Sequence, residues 1–125
     1  MVQKYSTCQI LLTYKGKALM HYRFNSAVDT EKHDWRLIGG ERKAKETPLD
    51  ALSRMVESET SIKISDVKQV SDNFYHARLT DKNVNEIQRS EGQLLDFFTP
   101  ADLQKLKMDS ETRNFTLEFG NLIAF

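Results

Sequence analysis

Two adjacent glycines, Gly39 and Gly40, precede a carboxylate, Glu46, and the helix-capping sequence Thr47-Pro48-Leu49-Asp50. Glycines let a backbone approach a ligand closely, and the first turn of a helix favours negative charge. This order of residues is therefore suited to a pyrophosphate group and a metal ion. An ordinary connection between a strand and a helix has the same composition, so this feature alone leaves both interpretations open.

The segment that follows Thr47 has the signals of a helix start. Thr47 can cap free backbone N–H groups, Pro48 lacks a donor where none is needed, and Asp50 can bond back to the capping residue. We expect the helix to end near Ser61. Apolar residues recur at helical spacing and predict a buried stripe that consists of Leu49, Leu52, Val56 and Thr60.

A longer pattern of residues at fixed spacing includes this segment. The residues that set it are Gly40, Glu46, Arg54, Val56, Glu59 and Ile62. It resembles the Nudix box, G-x5-E-x7-R-E-U-x-E-E-x-G-U, in which U is a bulky apolar residue. The flanking segments with the same resemblance are Trp35-Arg36-Leu37-Ile38-Gly39-Gly40 (W-x-L-P-G-G), Glu46-Thr47-Pro48 (E-T-P) and Glu91-Gly92-Gln93 (a late E-G-Q). The chain thus resembles the Nudix (MutT-like) hydrolase superfamily over most of its length.

The box is degenerate. Where the family pattern has three acids on the helix, this sequence has Met55, Ser58 and Glu59. These positions lie within one arc of about 100°, separate from the predicted apolar stripe. Three carboxylates there would gather a divalent ion and deprotonate a water molecule, and only Glu59 remains. Glu57 points about 100° away from Ser58 and is not expected to replace it, and Met55 is expected to be an apolar filler.

The resemblance implies a role for each retained position. The implied catalytic set is Glu46, Arg54 and Glu59. The implied ligands of Mg²⁺ or Mn²⁺ are the Gly40 carbonyl, Glu59 and Glu91. Mg²⁺ can be bound by one or two carboxylates together with substrate phosphates. The group that is missing is a general base, which is worth about 10²–10⁴ in rate.

Arg54 has two interpretations. In the family it braces the catalytic loop and helix, here through Glu46. The alternative is an exposed pair with Asp50, four residues earlier on the helix, which is worth only tenths of a kcal/mol.

The candidate substrate-binding residues are Arg23, Trp35 and Gly39. Arg23 and Trp35, with Phe74 or Tyr75, would line a cleft for a base or sugar, and core packing or chance surface placement is the alternative for each. The cations that precede the helix would attract polyphosphate or simply be solvated. These cations are Arg42, Lys43 and Lys45.

The resemblance implies metal-assisted hydrolysis of the pyrophosphate bond in a nucleoside diphosphate linked to another moiety. We expect this hydrolysis to be weak because Met55 and Ser58 replace two acids. The alternative is a catalytically inactive Nudix-fold module that binds a nucleotide or a protein partner. Many relatives pair as dimers, so a homodimer is also implied.

Composition narrows the remaining classes. A chain of 125 residues is about one domain long, and we assign residues 1–125 to one Nudix-like domain. The formal net charge of zero argues against a nucleic-acid surface, for which a domain pI above about 9 is usual. A single cysteine, Cys8, excludes an internal disulfide framework. The sequence has neither a secretory signal nor an apolar run of about 20 residues. We therefore expect a soluble protein of the cytoplasm.

Strand-like and helix-like segments interleave without regular βαβ spacing. This order predicts an α/β or α+β fold, and the resemblance implies a mixed sheet sandwiched between helices. Cys8–Tyr14 and Lys17–Phe24 are expected to form a hairpin around Lys15-Gly16, and Asn25–Asp34 a turn-like segment. The other expectations are a β region around 74–79, a loop over 81–93, a strand over 94–98, a capped turn at Thr99-Pro100 and a final amphipathic segment that packs Phe115, Leu117, Phe119, Leu122 and Ile123.

Overall fold

This computed structural model describes residues 7–23, 34–89 and 93–123. Its strands are β1 (Thr7–Tyr14), β2 (Lys17–Arg23), β3 (Ile38–Glu41), β4 (Lys68–Ser71), β5 (Phe74–Arg78) and β6 (Gln93–Phe98). Its helices are α1 (Pro48–Thr60), α2 (Asp81–Glu86), α3 (Pro100–Leu103), α4 (Ser110–Glu118) and α5 (Gly120–Ile123). The strands form one sheet in the order β4-β5-β1-β2-β6, and β3 pairs with β1 outside this path. The predicted α+β class is confirmed.

One compact unit contains the described residues 7–12 and 38–88. In this unit β1 and β3 run antiparallel, with Cys8 opposite Gly40 and Gln9 opposite Gly39. Strands β4 and β5 form a second antiparallel pair, and α1 packs on β3. The loop of residues 42–47 joins β3 to α1, so this unit contains the glycine pair and the whole helix of the box.

Helix α1 begins and ends where the sequence predicts. The Thr47 hydroxyl accepts a hydrogen bond from the Asp50 N–H, the Asp50 carboxylate accepts one from the Thr47 N–H, and Pro48 occupies the first turn. Ser61 ends the helix in the left-handed conformation, with φ of 68°. The predicted stripe is wrong at Leu49, which is 47% exposed. The side chains that α1 buries are those of Ala51, Leu52, Met55, Val56 and Thr60.

The second unit contains the described residues 13–23, 34–37, 89 and 93–123. Lys15 and Gly16, with φ of 48° and 79°, form the turn of the predicted hairpin, and positive φ at both central positions is the geometry that suits a two-residue hairpin. Strand β2 pairs antiparallel with β6. Trp35 packs against two aromatic rings of this unit, Tyr22 at 5.4 Å and Phe98 at 4.9 Å between centroids.

Two expectations are corrected. The segment over 81–93 was expected to be a loop, but it begins with α2, whose capping Thr80 and Asn83 bond to each other's backbone N–H groups. Leu117 was expected to pack, yet it is 53% exposed, whereas Phe115 and Ile123 are buried.

Of the predicted turn-like segment 25–34, only Asp34 lies within the described residues. No helix in the described ranges is long and apolar enough to cross a membrane.

Candidate functional site

Arg54 and Glu46 form a two-point ion pair between α1 and the loop that precedes it. Arg54 Nε donates to Glu46 Oε2 at 2.9 Å, and Arg54 Nη2 donates to Glu46 Oε1 at 3.0 Å. Arg54 Nη2 also donates to the Glu41 carbonyl at the end of β3. A guanidinium presents its donors as a planar fork that matches a carboxylate. Of the two interpretations of Arg54, the structure agrees with the contact to Glu46. The Asp50 carboxylate accepts a hydrogen bond from the capping Thr47 N–H instead.

The surroundings of Glu46 keep its carboxylate charged. Its Oε1 atom accepts a second hydrogen bond, from the Lys43 N–H at 2.7 Å. The Arg54 hydrogen bond, followed by that of the Lys43 backbone, lowers the pKa of Glu46 to about 2. A carboxylate with so low a pKa and with both oxygens engaged is a poor proton acceptor at neutral pH. These contacts give Glu46 the geometry of a positioning residue, one that fixes the loop to the helix.

Gly39 is held in close contact with β1. A Cβ atom at this position would lie 2.4 Å from the Cys8 carbonyl oxygen and 2.9 Å from the Gln9 Cα atom. Backbone atoms cannot move aside as a flexible side chain can. The glycine at position 39 therefore has a packing reason that is independent of any ligand.

Gly40 faces Met55. A Cβ atom at Gly40 would lie 3.6 Å from both the Sδ and the Cε atoms of Met55, which is ordinary van der Waals contact. Met55 is only 8% exposed. The prediction that Met55 is an apolar filler is consistent with this burial, but the prediction that its face lies apart from the apolar stripe is wrong. Met55 belongs to the buried face of α1, and its side chain covers Gly40.

Cys8 lies beside the same group of side chains. Burial raises the pKa of its thiol, against the charges of Arg42 and Arg54, which lower it, while Glu46 raises it further. Its side chain is buried. A buried thiol with a raised pKa is a poor nucleophile, and Cys8 is a core residue of this unit.

Known structures resemble this chain over nearly its full length. A NUDIX-family hydrolase from Clostridium perfringens shares 15% identity with it at a TM-score of 0.73, over 97% of this chain and 99% of that chain. The NUDIX domain of Shewanella oneidensis NrtR, solved with ADP-ribose, shares 14% at 0.69, over 92% and 85%. The Caenorhabditis elegans Ap4A hydrolase shares 14% at 0.68, over 98% and 100%. The chain has the Nudix fold. No model of a protein family and no curated protein matches its sequence.

Of the two acids expected to bind metal, Glu59 alone lies within the described residues. Glu59 is half-buried and lies one turn after Met55 on α1, and Ser58 is exposed. The thioether of Met55 is a soft donor that suits neither Mg²⁺ nor Mn²⁺. Over the part of the chain that the structure describes, no group of three His, Cys, Asp or Glu side chains is placed to hold a metal ion. Glu91, the other expected ligand, lies outside the described residues.

The expected substrate-binding residues are not all in the unit that holds the box. Gly39 is in that unit, whereas Trp35 belongs to the other, where its ring is half-buried between Tyr22 and Phe98. The side chain of Arg23 lies outside the described part of the structure. Core packing, the alternative considered for Trp35, therefore explains why part of its ring is buried.

One residue of the loop between β3 and α1 has a feature that the sequence does not signal. The Nε atom of Arg42 is buried and has no hydrogen-bond partner within the described part of the chain. Buried guanidinium nitrogens are rarely left without an acceptor. Neither composition nor spacing signals this, because the same Arg in a solvated loop would have an identical sequence context.

A separate cavity of about 340 Å³ lies in the first unit, at the far end of α1. Its lining residues are Ser61, Ile62, Lys63, Lys82, Asn83 and Glu86. Asn83 is already engaged there, since its side-chain amide donates to the Lys63 carbonyl. None of the predicted site residues lines this cavity, so it lends no support to the predicted active site.

Proposed function

We propose that this chain binds a nucleoside diphosphate joined to a second moiety, and that it hydrolyses the pyrophosphate bond only weakly. Two contacts support the proposal: the one between Glu46 and Arg54, and the one between Met55 and Gly40. The ion pair between Glu46 and Arg54 keeps the loop and helix together, while a buried Met55 covers Gly40 where the family pattern has an acid.

The structural neighbours support the class of ligand. One was solved with ADP-ribose and another is an Ap4A hydrolase, and each of these ligands contains a nucleotide joined through phosphates to a second group. Both neighbours share only 14% identity with this chain. The base, the sugar and the leaving group therefore stay open in the proposal.

In this proposal Glu46 and Arg54 orient the loop of residues 42–47, and neither transfers a proton. A bound divalent ion would supply polarisation of a phosphoryl oxygen and activation of water. With Glu91 outside the described residues, Glu59 is the one box acid on α1 that could contribute to holding such an ion. Without a positioned base, hydrolysis is expected to be slower by about 10²–10⁴ than with one.

The test restores the missing carboxylates. Hydrolysis is measured over a panel of ADP-ribose, NDP-sugars and nucleoside triphosphates with Mg²⁺ and with Mn²⁺, for the wild type and for Met55→Glu with Ser58→Glu. We expect slow wild-type turnover and a gain of at least about tenfold in the double variant.

The matched control is Ser53→Glu, which adds a carboxylate at an exposed position of α1 about 140° away from Ser58. This control is expected to leave turnover at the wild-type level. Fast wild-type turnover that the double variant does not improve would contradict the impaired site.

The second candidate is an inactive Nudix-fold module that binds a nucleotide or a protein partner. The burial of Met55 favours it, because a core side chain occupies the place of a ligand. Calorimetry with ADP-ribose separates the two forms of this candidate. Binding without turnover supports a nucleotide module, and the absence of binding with and without metal supports a protein-interaction role.

Two further expectations from the sequence are proposed on the same footing. We expect a homodimer, which sedimentation analysis at micromolar concentration checks. We also expect the protein in the cytoplasm, which fractionation of the source cell checks.

A further inference from the structure

The loop between β3 and α1 carries more positive charge than its acids balance. Three cations, Arg42, Lys43 and Lys45, stand in residues 42–47 beside one acid, Glu46. Both oxygens of that acid are engaged by Arg54 and by the Lys43 N–H. Glu46 is thus paired with Arg54, which lies on α1 and not in the loop. The three cations of the loop therefore have no other acid within the loop to balance their charge.

The nearest other acids along the chain do not balance this excess of positive charge. Asp50 is bonded to the Thr47 N–H at the helix cap. Glu41 ends β3 with an exposed side chain, and its carbonyl accepts from Arg54. From Glu41 to Arg54 the chain has four cations and three acids, so this segment carries one net positive charge.

Arg42 adds a second observation that points to an anion. Lys43 and Lys45 are exposed, but Arg42 is half-buried and its Nε atom is shielded from solvent without a hydrogen-bond partner in the described residues. Arg42 also lies close enough to the buried Cys8 thiol to lower its pKa. A half-buried guanidinium with an unpaired N–H group can donate hydrogen bonds to a phosphate, which it can bind bidentately.

Among the described residues, acids that could together bind a divalent ion are not gathered beside this loop. Met55 covers Gly40, and the described residues form no three-acid cluster. A diphosphate that carries two or more negative charges therefore meets cationic side chains at the loop, where the Nudix pattern would offer carboxylates and a bridging metal ion.

We infer that this chain holds the diphosphate of its ligand directly through Arg42 and the neighbouring lysines of the loop, so that nucleotide binding does not require a divalent ion. This inference rests on the proposed nucleotide-binding function. It makes the box region a metal-independent anion site. Charge-assisted hydrogen bonds from the side chains take the place that a bridging ion would have.

The experiment measures the affinity for ADP-ribose and for UDP-glucose by calorimetry, in EDTA and in Mn²⁺. The wild type is expected to bind in both, with dissociation constants that agree within about threefold. Adenosine, which lacks the diphosphate, is expected to bind at least about tenfold more weakly than ADP-ribose.

The variants are Arg42→Ala and Arg42→Lys, with Lys68→Ala as the control for loss of one exposed cation on β4. Arg42→Ala is expected to weaken binding in EDTA by about tenfold or more, Arg42→Lys by less, and Lys68→Ala by under about twofold. Circular dichroism confirms that each variant is folded. The wild-type comparison in EDTA and Mn²⁺ tests the inference even if Arg42→Ala does not fold.

The possible outcomes separate the inference from the function beneath it. Binding that appears only with Mn²⁺ overturns the inference and leaves the proposed function standing. Binding in EDTA that a folded Arg42→Ala retains in full also overturns the inference, because the diphosphate would then be held elsewhere. No binding of either ligand, with or without Mn²⁺, overturns the inference and the proposed nucleotide binding together.

Discussion

The Sδ and Cε atoms of Met55 lie 3.6 Å from the place that a Cβ atom on Gly40 would occupy. Hydrocarbon and sulfur thus lie against the glycine where the Nudix pattern places a carboxylate. The same helix turn retains Arg54, whose guanidinium is bound to Glu46. The ion pair of the Nudix pattern is therefore present, while an apolar side chain stands at one of its acid positions.

The two adjacent glycines, Gly39 and Gly40, are expected to differ in their tolerance of a methyl group. Gly39→Ala places Cβ 2.4 Å from the Cys8 carbonyl oxygen, and we expect a loss of about 1–3 kcal/mol of stability. Gly40→Ala meets only the end of the Met55 side chain at 3.6 Å and should remain within about 0.5 kcal/mol of the wild type. Urea denaturation of both variants measures this. Equal losses would mean that the contact with β1 is not what requires glycine at position 39.

The ion pair between Glu46 and Arg54 predicts a pH dependence of stability. The folded chain holds the pKa of Glu46 at about 2, below the ordinary value of 4.5. As the pH falls below 4.5 the unfolded chain binds the proton first, so the contribution of Glu46 is present above 4.5 and is lost progressively down to about 2. Glu46→Gln and Arg54→Gln should each lose stability at pH 6 and approach the wild type at low pH.

The measurement is urea unfolding at a series of pH values from 6 downward. Glu57→Gln, at an exposed position of α1, is the control for removal of one carboxylate. A difference between wild type and Glu46→Gln that stays constant across the series would contradict the lowered pKa.

The sequence predicted those features that are local. The cap at Thr47 depends on residues within three positions of it, and the contact of Glu46 with Arg54 is part of a motif with fixed spacing. The buried face of α1 was predicted less well, because packing on β3 decides which side turns inward. Leu49, at the first turn, is left exposed, and Met55 is drawn into the core.

Other features had a signal that was too weak or absent. Helix α2 has only six residues, none of them buried, so apolar periodicity could not reveal it. The three-residue interval between Thr80 and Asn83, which cap each other, was the available sign. The buried Nε atom of Arg42 had none, because burial of one atom depends on the course of the surrounding backbone.

The exposed and buried leucines of α1 offer a direct test of the helix orientation. Leu52 is fully buried, and its replacement by Ala is expected to cost about 2–5 kcal/mol. Leu49, 47% exposed on the same helix, is the matched control, and Leu49→Ala should change stability by no more than about 0.5 kcal/mol. Thermal and urea unfolding of the two variants measure the difference. If Leu49→Ala were the more damaging change, α1 would have to be rotated from the orientation described.

For the double variant Met55→Glu with Ser58→Glu we also predict how stability depends on pH, a property that can be measured without an activity assay. A carboxylate in the buried place of Met55 is desolvated, which raises its pKa above the ordinary value of about 4.3. A folded-state pKa above the unfolded value gives stability at low pH that is lost as the pH rises through it. The double variant should therefore be less stable than the wild type at pH 7, and the deficit should shrink toward pH 4.

Added Mn²⁺ should reverse part of this loss. An ion that binds only the folded double variant stabilises it by about 2.7 kcal/mol at a concentration 100 times its dissociation constant. The wild type, with Met55 against Gly40, should show a much smaller Mn²⁺ effect. Ser53→Glu, which adds an exposed carboxylate elsewhere on α1, controls for nonspecific binding. A melting temperature that rises equally with Mn²⁺ in all three proteins would show that the two restored acids do not create a metal site beside Gly40.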